Sequence, residues 1–493
     1  MAGVKSLMKD TAIYGVSSIV GRILNWGLVP LYTRLFPTEE YGIVTNIYAY
    51  VAVVLVMLLY GMETGFFRFA NHDRWRDPMQ VYSTTLISVG TSSLAFLIAI
   101  IAFAPSIAST LNCGGHSSFI LLMGAAVAID AFSCIPFAYL RYRRKALRFA
   151  TLKFINIGLN IGLNLFFLLL CPIIHREAPG LISWFYDPQF GIGYIFLSNF
   201  IASLVVMLLL LPQLRVKFTF SGKLWKEMVI YSYPLLILGV AGIMNQTIDK
   251  ILYPILITDP VEATRQLGIY GACYKIAIIM VMFLQAFRYA FEPFIFARDK
   301  GEGDSRKQAY ADAMKYFIIV ALFIFMGVMF FMPVLRYFIS PAYFEGLKVV
   351  PVIMMAELFF GIFFNLSLWY KLTDRTIWGT WFSLGGLAIT LAGNIIFVPH
   401  FGYMACAWSA LACYGAMMTA SYLIGQHYYP IAYGLKRIGA YFALAMILWG
   451  VGELTATPHP ALNYGVRILL LLIYLAVVAK VERPLQALRR HSR

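Results

Sequence analysis

Between residues 11 and 480 the chain is a succession of apolar runs divided by short polar segments. Most of the runs reach the roughly 18 or more residues that a helix needs to cross a bilayer. Hydrocarbon offers no partner to an open backbone group, so segments of this kind must satisfy their N–H and C=O groups internally, as helices. That constraint sets the fold class: an all-α polytopic membrane protein. Composition agrees, with 61% hydrophobic residues and only 13% charged, against about 25% charged in a soluble domain.

Fourteen spans are predicted, over residues 11–31, 42–62, 80–103, 118–139, 151–171, 191–212, 228–257, 267–291, 316–334, 347–370, 377–398, 403–425, 439–454 and 464–480. The first is too long for a signal-peptide core and lacks a small-residue cleavage site, so it reads as a retained helix. The net charge of +16 raises the question of nucleic acid, and topology answers it. With both termini cytoplasmic, 28 Lys and Arg fall on inside segments, four outside and seven within spans. That is the positive-inside bias of a plasma or inner-membrane protein, so nucleic acid is not expected as a partner.

The six cysteines show no C-x-x-C spacing and the seven histidines are scattered. Neither a disulfide framework, a metal site nor a cofactor is expected from such spacing. There is no Walker loop for ATP, and no catalytic constellation. Glu39 and Glu40 read as a solvated turn rather than the acids of a glycan-transferring enzyme.

The chain also repeats. AIYGVSSIVGRILNWGLVPLYTRLF (12–36) aligns with VIYSYPLLILGVAGIMNQTIDKILY (229–253), and EYGIVTNIYAYVAVV (40–54) with LGIYGACYKIAIIMV (267–281). Residues 140–167 align with 368–397 in the same order. Six helices separate the copies, so both have one orientation, as in transporters with a site between halves. The expected division is a six-helix lobe over 1–215, a second over 216–430, and two extra helices with a basic tail over 431–493.

Charged and amide residues inside spans are the candidate site, because each costs at least ~2.5–3.5 kcal/mol at the bilayer centre unless it faces a partner or a wet cavity. Arg22 and Asn25 share a face of span 1. Lys153, Asn156, Asn160 and Asn164 form a stripe on span 5, at spacings of three and four. Asp130 and Glu357 are similarly deep, and Lys275 lies in span 8. Arg288 and Glu292 read as a pair at the rim of that span. Two readings stand for the amides and for Lys275, hydrogen bonding between helices or lining a cavity. For Arg22 the cavity is preferred, since no acid in span 1 can pair with it, and a guanidinium suits phosphate. Asn245 and Asp249, four apart in span 7, fall near its outer end and read as a gate or latch, with Lys250 snorkelling outward.

The opening VKSLMKDTAIYGVSSIVGRILNWGLVPLYTRLFPTEEYGIVTNIYAY, with GMETGFFRF (61–69), GIYGACYK (268–275) and NIIFVPHFGYMACAW (394–408), resembles the polysaccharide flippases. Their superfamily also holds lipid II flippases and multidrug and toxin extrusion transporters. The resemblance implies two six-helix lobes around a central cationic cavity and alternating access. It implies as substrate an oligosaccharide linked to undecaprenyl diphosphate, with membrane lipid and other polysaccharide-assembly membrane proteins as partners. By position Arg22 matches a cavity arginine of lipid II flippases, with Lys275 a counterpart in the second lobe; Asn25, Asn156 and Asn160 join them as cavity candidates on helical spacing alone. Lys250 stands where many relatives carry Arg. The rival expectations are a multidrug or cation antiporter of the same superfamily, for which Asp130 is the deep first-lobe acid, and a membrane glycan polymerase or ligase, which the short outer loops disfavour.

Overall fold

A computed structural model describes residues 15, 17, 19–72, 77–111, 113, 115–297, 303–455 and 459–482. Lys5, Lys9, Arg74, Arg76, the core of the 298–307 loop, the side chain of Glu292 and the tail from 483 lie outside what is described. Among the described residues there is helix and no strand. Twelve helices are long and apolar enough to span a membrane. Two of the fourteen predicted spans are not among them. The first is described only in part, and Tyr403–Tyr428 has the length but carries too many small and polar residues.

The chain packs as two compact units, residues 1–272 with 387–406, and 273–386 with 407–493. These do not coincide with the divisions drawn at 216 and 430: packing places residues 222–272 in the first unit.

In the first unit the principal helices are α1 (Val29–Leu35), α2 (Thr38–Leu59), α3 (Met62–Ala70), α4 (Pro78–Thr110), α5 (Ser117–Tyr142), α6 (Ala146–Leu165), α7 (Gly193–Leu210), α8 (Gly222–Leu256) and the start of α9 (Pro260–Ala297). Local chemistry sets several of their ends. Asp77 caps α4, its carboxylate accepting from Met79 N at 2.9 Å, and Pro78 takes the first helical position, where its missing N–H costs nothing. Ser221 caps α8 in the same way through Leu224 N at 3.4 Å.

The second predicted span is broken. Tyr60 (φ 31°) and Gly61 (φ 74°) both adopt the left-handed conformation between α2 and α3, and Ser232 of α8 closes on the break, its hydroxyl donating to Gly61 O at 3.3 Å. A Cβ at Gly61 would stand 3.0 Å from Ser232 O in a backbone conformation that disfavours side chains. Phe66, Tyr82, Leu86, Ile135, Leu224 and Met228 fill the core beside it. At the other end of α2, Gly42 and Gly268 let α2 and α9 meet backbone to backbone. A Cβ on Gly42 would overlap Thr264 O, and one on Gly268 would overlap Thr38 O.

The second unit holds the rest of α9, α10 (Gly303–Phe330), α11 (Val350–Leu366), the start of α12 (Ile377–Phe401) and most of α13 (Tyr403–Tyr428), with α14 (Leu435–Leu454) and α15 (Pro460–Glu482). Its core includes Phe363, Trp369, Phe382, Tyr414 and Met417. The two last helices are tied to α10 by polar contacts at both ends. Glu482 pairs with Lys315 at 2.7 Å and Arg437 at 3.7 Å, and accepts from Tyr441 Oη at 2.7 Å. Further along α15, Tyr474 donates to Ile319 O at 3.0 Å.

Candidate functional site

The predicted amide stripe lies on one face of α6, as spacing by four requires, and the structure joins it to the first helix and α1. Tyr32 Oη donates to Asn164 Oδ1 at 2.9 Å. Asn164 Nδ2 donates to Asn160 O at 2.7 Å and to Asn160 Oδ1 at 3.2 Å. Asn160 Nδ2 in turn donates to Asn25 Oδ1 at 3.1 Å. The first helix approaches closely enough for this because Gly21 faces Ile157, whose Cδ1 would lie 2.6 Å from a Cβ there. A π-helical turn over Phe166–Leu170 follows Asn164, the kind of local unwinding that recurs beside functional groups.

The run of amides ends at an open patch. Asn164 and Asn160 are buried, whereas Asn25 and Arg22, one turn apart, are uncovered by protein. Arg22 has no acidic partner among the described residues. Asn156 is half-buried one turn before Asn160 on the same stripe. Of these residues a hydrogen bond joins Asn160 to Asn25, while Arg22 lies one turn before Asn25 and Asn156 one turn before Asn160. Lys275 is half-buried and belongs to the second unit.

A charged cluster on the same side of α6 was only partly legible. Lys153 Nζ sits 4.3 Å from the centre of the Phe137 ring and interacts electrostatically with Asp130 and Cys134. Asp130, uncovered by protein, also faces the Ser203 hydroxyl. Cys134 Sγ donates to Glu63 Oε2 at 3.1 Å, and Glu63 forms an ion pair with Arg141. Glu63 and Arg141 carry weak signals in the sequence. Their signals were the glutamate of GMETGFFRF and the first arginine of RYRRKALR, which read as a loop motif and a topological charge run. The break at Gly61 is what starts α3 and carries Glu63 on its first turn.

Asp249 and Lys250 belong to a network with Gln246, Tyr270 and Asn46. Lys250 Nζ lies 3.1 and 3.0 Å from the two Asp249 carboxylate oxygens and donates to Gln246 O at 3.1 Å. Tyr270 Oη donates to Asp249 Oδ2 at 2.6 Å, and its ring lies 5.3 Å from the ammonium. Asn46 Nδ2 reaches across from α2 to Lys250 O at 2.8 Å. Lys250 therefore does not snorkel outward. Its side chain is only 12% exposed, because a carboxylate and an aromatic face neutralise it where it stands. Asn245 is buried one turn earlier. Glu357, buried in the second unit, accepts from Tyr274 Oη at 3.0 Å. Both tyrosines stand in GIYGACYK as hydroxyls in an apolar run. The rim pairing of Arg288 with Glu292 falls on a side chain outside the described residues, and Arg288 stacks on Phe364 at 4.3 Å.

Among the described residues no group of His, Cys, Asp and Glu could hold a metal ion. Chemically, the open Arg22 patch can hold an anion with hydroxyl-bearing groups beside it, because guanidinium only donates while amides both donate and accept. The network at Asp249 has its charge satisfied internally by Lys250.

A family model described as polysaccharide biosynthesis protein matches residues 7–296, more than half of the chain. No curated protein sequence matches it. Among solved structures, the lipid II flippase MurJ in its inward closed conformation is similar over 94% of this chain and 98% of its own, at 14% identity and a TM-score of 0.73. An inward-facing multidrug resistance transporter of the MATE family, in the MOP superfamily, is similar over 85% of this chain and 95% of its own, at 14% identity and a TM-score of 0.66. An outward-facing MATE-family transporter gives 13% identity, 88% and 96% coverage, and a TM-score of 0.55. At such identities the likeness is one of fold.

Proposed function

The chain belongs to the polysaccharide biosynthesis protein family, a flippase-type branch of the multidrug/oligosaccharidyl-lipid/polysaccharide exporter superfamily, and from that premise we propose that it moves an undecaprenyl-diphosphate-linked oligosaccharide from the cytoplasmic to the outer leaflet by alternating access. The observation that carries this reading is the open patch on the first helix, where Arg22 is uncovered and has no acidic partner among the described residues. Beside it Asn25 begins the amide series through Asn160. A diphosphate suits that guanidinium bidentately, and the amides suit sugar hydroxyls. The lipid tail stays in the bilayer. Asn245, Asp249 and Lys250 act as a latch between helices, since their charges are already paired.

Replacing Arg22 tests the reading in cells. Arg22→Ala removes a charge-assisted contact of about 1.5–3 kcal/mol, so export of surface glycan is expected to fall roughly 10–100-fold, with lipid-linked precursor accumulating. Arg22→Lys should retain part of the activity. Normal surface glycan without precursor build-up, at normal protein level, overturns the phosphate-docking role.

A second reading, a cation antiporter, draws on one observation: Asp130 is uncovered beside Lys153 and Ser203. An acid that exchanges protons for cationic cargo belongs in such a place. Under that reading Asp130→Asn abolishes resistance to cationic drugs and leaves glycan export unchanged; under the first, drug susceptibility does not move.

A further inference from the structure

A cavity lies in the second unit, at the ends of α14 and α15 farthest from Glu482. It has a volume of about 330 Å³. Three residues that carry N–H donors line it from three separate segments: Arg336 after α10, Trp449 of α14 and Arg467 of α15. Arg467 is only 4% exposed. One of its terminal nitrogens donates to Phe330 O at 2.5 Å and the other stands 4.0 Å from Glu453 Oε1. Its Nε, the Nε of Arg336 and the indole Nε1 of Trp449 are all buried and have no hydrogen-bond partner among the described residues. The guanidinium of Arg336 is held in place by stacking, 5.0 Å from the Tyr337 ring centre and 5.4 Å from that of Phe344. Trp449 packs edge-on against Phe325 at 5.4 Å.

Three buried donors without acceptors are costly unless something supplies oxygen atoms. The wall carries two arginines against one carboxylate, that of Glu453, which is half exposed. The occupant is therefore an anion rich in acceptors. Donors that arrive from three segments suit a tetrahedral group with several oxygens better than a planar carboxylate with two. The remaining wall is apolar, including Met332, Leu347 and Pro351, so the cavity takes more than a bare anion. Arg467 lies seven residues into α15 from Pro460, about 10 Å along the helix at 1.5 Å per residue.

We infer that this cavity binds a phosphoryl group carried on a membrane lipid, with Arg336, Trp449 and Arg467 as its donors. The site is independent of the Arg22 patch and of what cargo is carried, and it holds α14 and α15 against α10 when occupied.

The test uses the full-length protein, purified and delipidated in a sugar-based detergent, with thermal unfolding followed against added ligand. Short-chain phosphatidylglycerol should stabilise it saturably, and short-chain diacylglycerol should not. Trp449→Phe, which keeps the ring and removes the N–H, and Arg336→Gln should each weaken the response about tenfold, the ~1.4 kcal/mol of one charge-assisted hydrogen bond. Inorganic phosphate stabilising the protein at the same concentrations would retain the phosphoryl site and overturn the lipid as its source. An equal response to diacylglycerol, affinity unchanged in both variants, or no saturable response at all would overturn the site.

Discussion

At the residue scale, the molecule separates ionisable groups that are internally satisfied from those that are not. Asp249 and Lys250 are satisfied: each is held by the other and by Tyr270. Asp249→Asn leaves Lys250 largely buried without its counter-charge, and breaking a buried pair costs about 3–5 kcal/mol. Thermal unfolding should show a large loss for Asp249→Asn and a smaller one, about 1–3 kcal/mol, for Tyr270→Phe. An Asp249→Asn protein as stable as the parent would remove the latch. Spacing alone made the face of Asn156, Asn160 and Asn164 legible, because a helix fixes which residues align. It could not show that Tyr32 ends the series, since that contact spans 132 residues of chain. Nor could it show that Lys250 folds inward, because the groups that hold it include Tyr270 on another helix.

At the element scale, the apolar runs made most helices legible, while their breaks and close approaches depended on single residues. The turn at Tyr60 and Gly61 leaves no trace in hydrophobic periodicity, yet it sets where Glu63 emerges to meet Arg141. The Gly42 and Gly268 crossing joins α2 and α9, two helices that the internal repeat pairs by sequence. Gly268→Val would drive a side chain into the Thr38 carbonyl. Overpacking of this kind costs about 1–3 kcal/mol even where neighbours are side chains that can move, and here the neighbour is backbone. The expected result is a sharply lowered melting temperature and poor yield. Valine at 268 with unchanged melting would show that the helices do not meet as closely as described. Gly242, beside which a Cβ meets nothing within 4 Å, serves as the control, and Gly242→Ala should be silent.

At the scale of the whole molecule, membrane class, helical fold and family were all legible, because hydrophobic length and the motif series are properties of the chain itself. The compact units were not. A repeat reports which segments align, whereas packing reports which segments touch, and residues 222–272 align with the opening helices yet pack among them. The Arg22 patch was legible as a candidate because an unpaired arginine in an apolar run is costly wherever it points; the cavity around Arg467 was not, because its donors lie 131 residues apart in sequence. The central claim is that the protein moves a lipid-linked oligosaccharide, and reconstitution tests it most directly. Purified protein is placed in vesicles with a lipid-linked oligosaccharide bearing a fluorescent sugar, and a membrane-impermeant quencher reports which leaflet holds it. The expected result is protein-dependent loss of the protected fraction, slowed roughly 10–100-fold by Arg22→Ala. A protected fraction equal to that of protein-free vesicles, while the same vesicles exchange a cationic dye for protons, would contradict it.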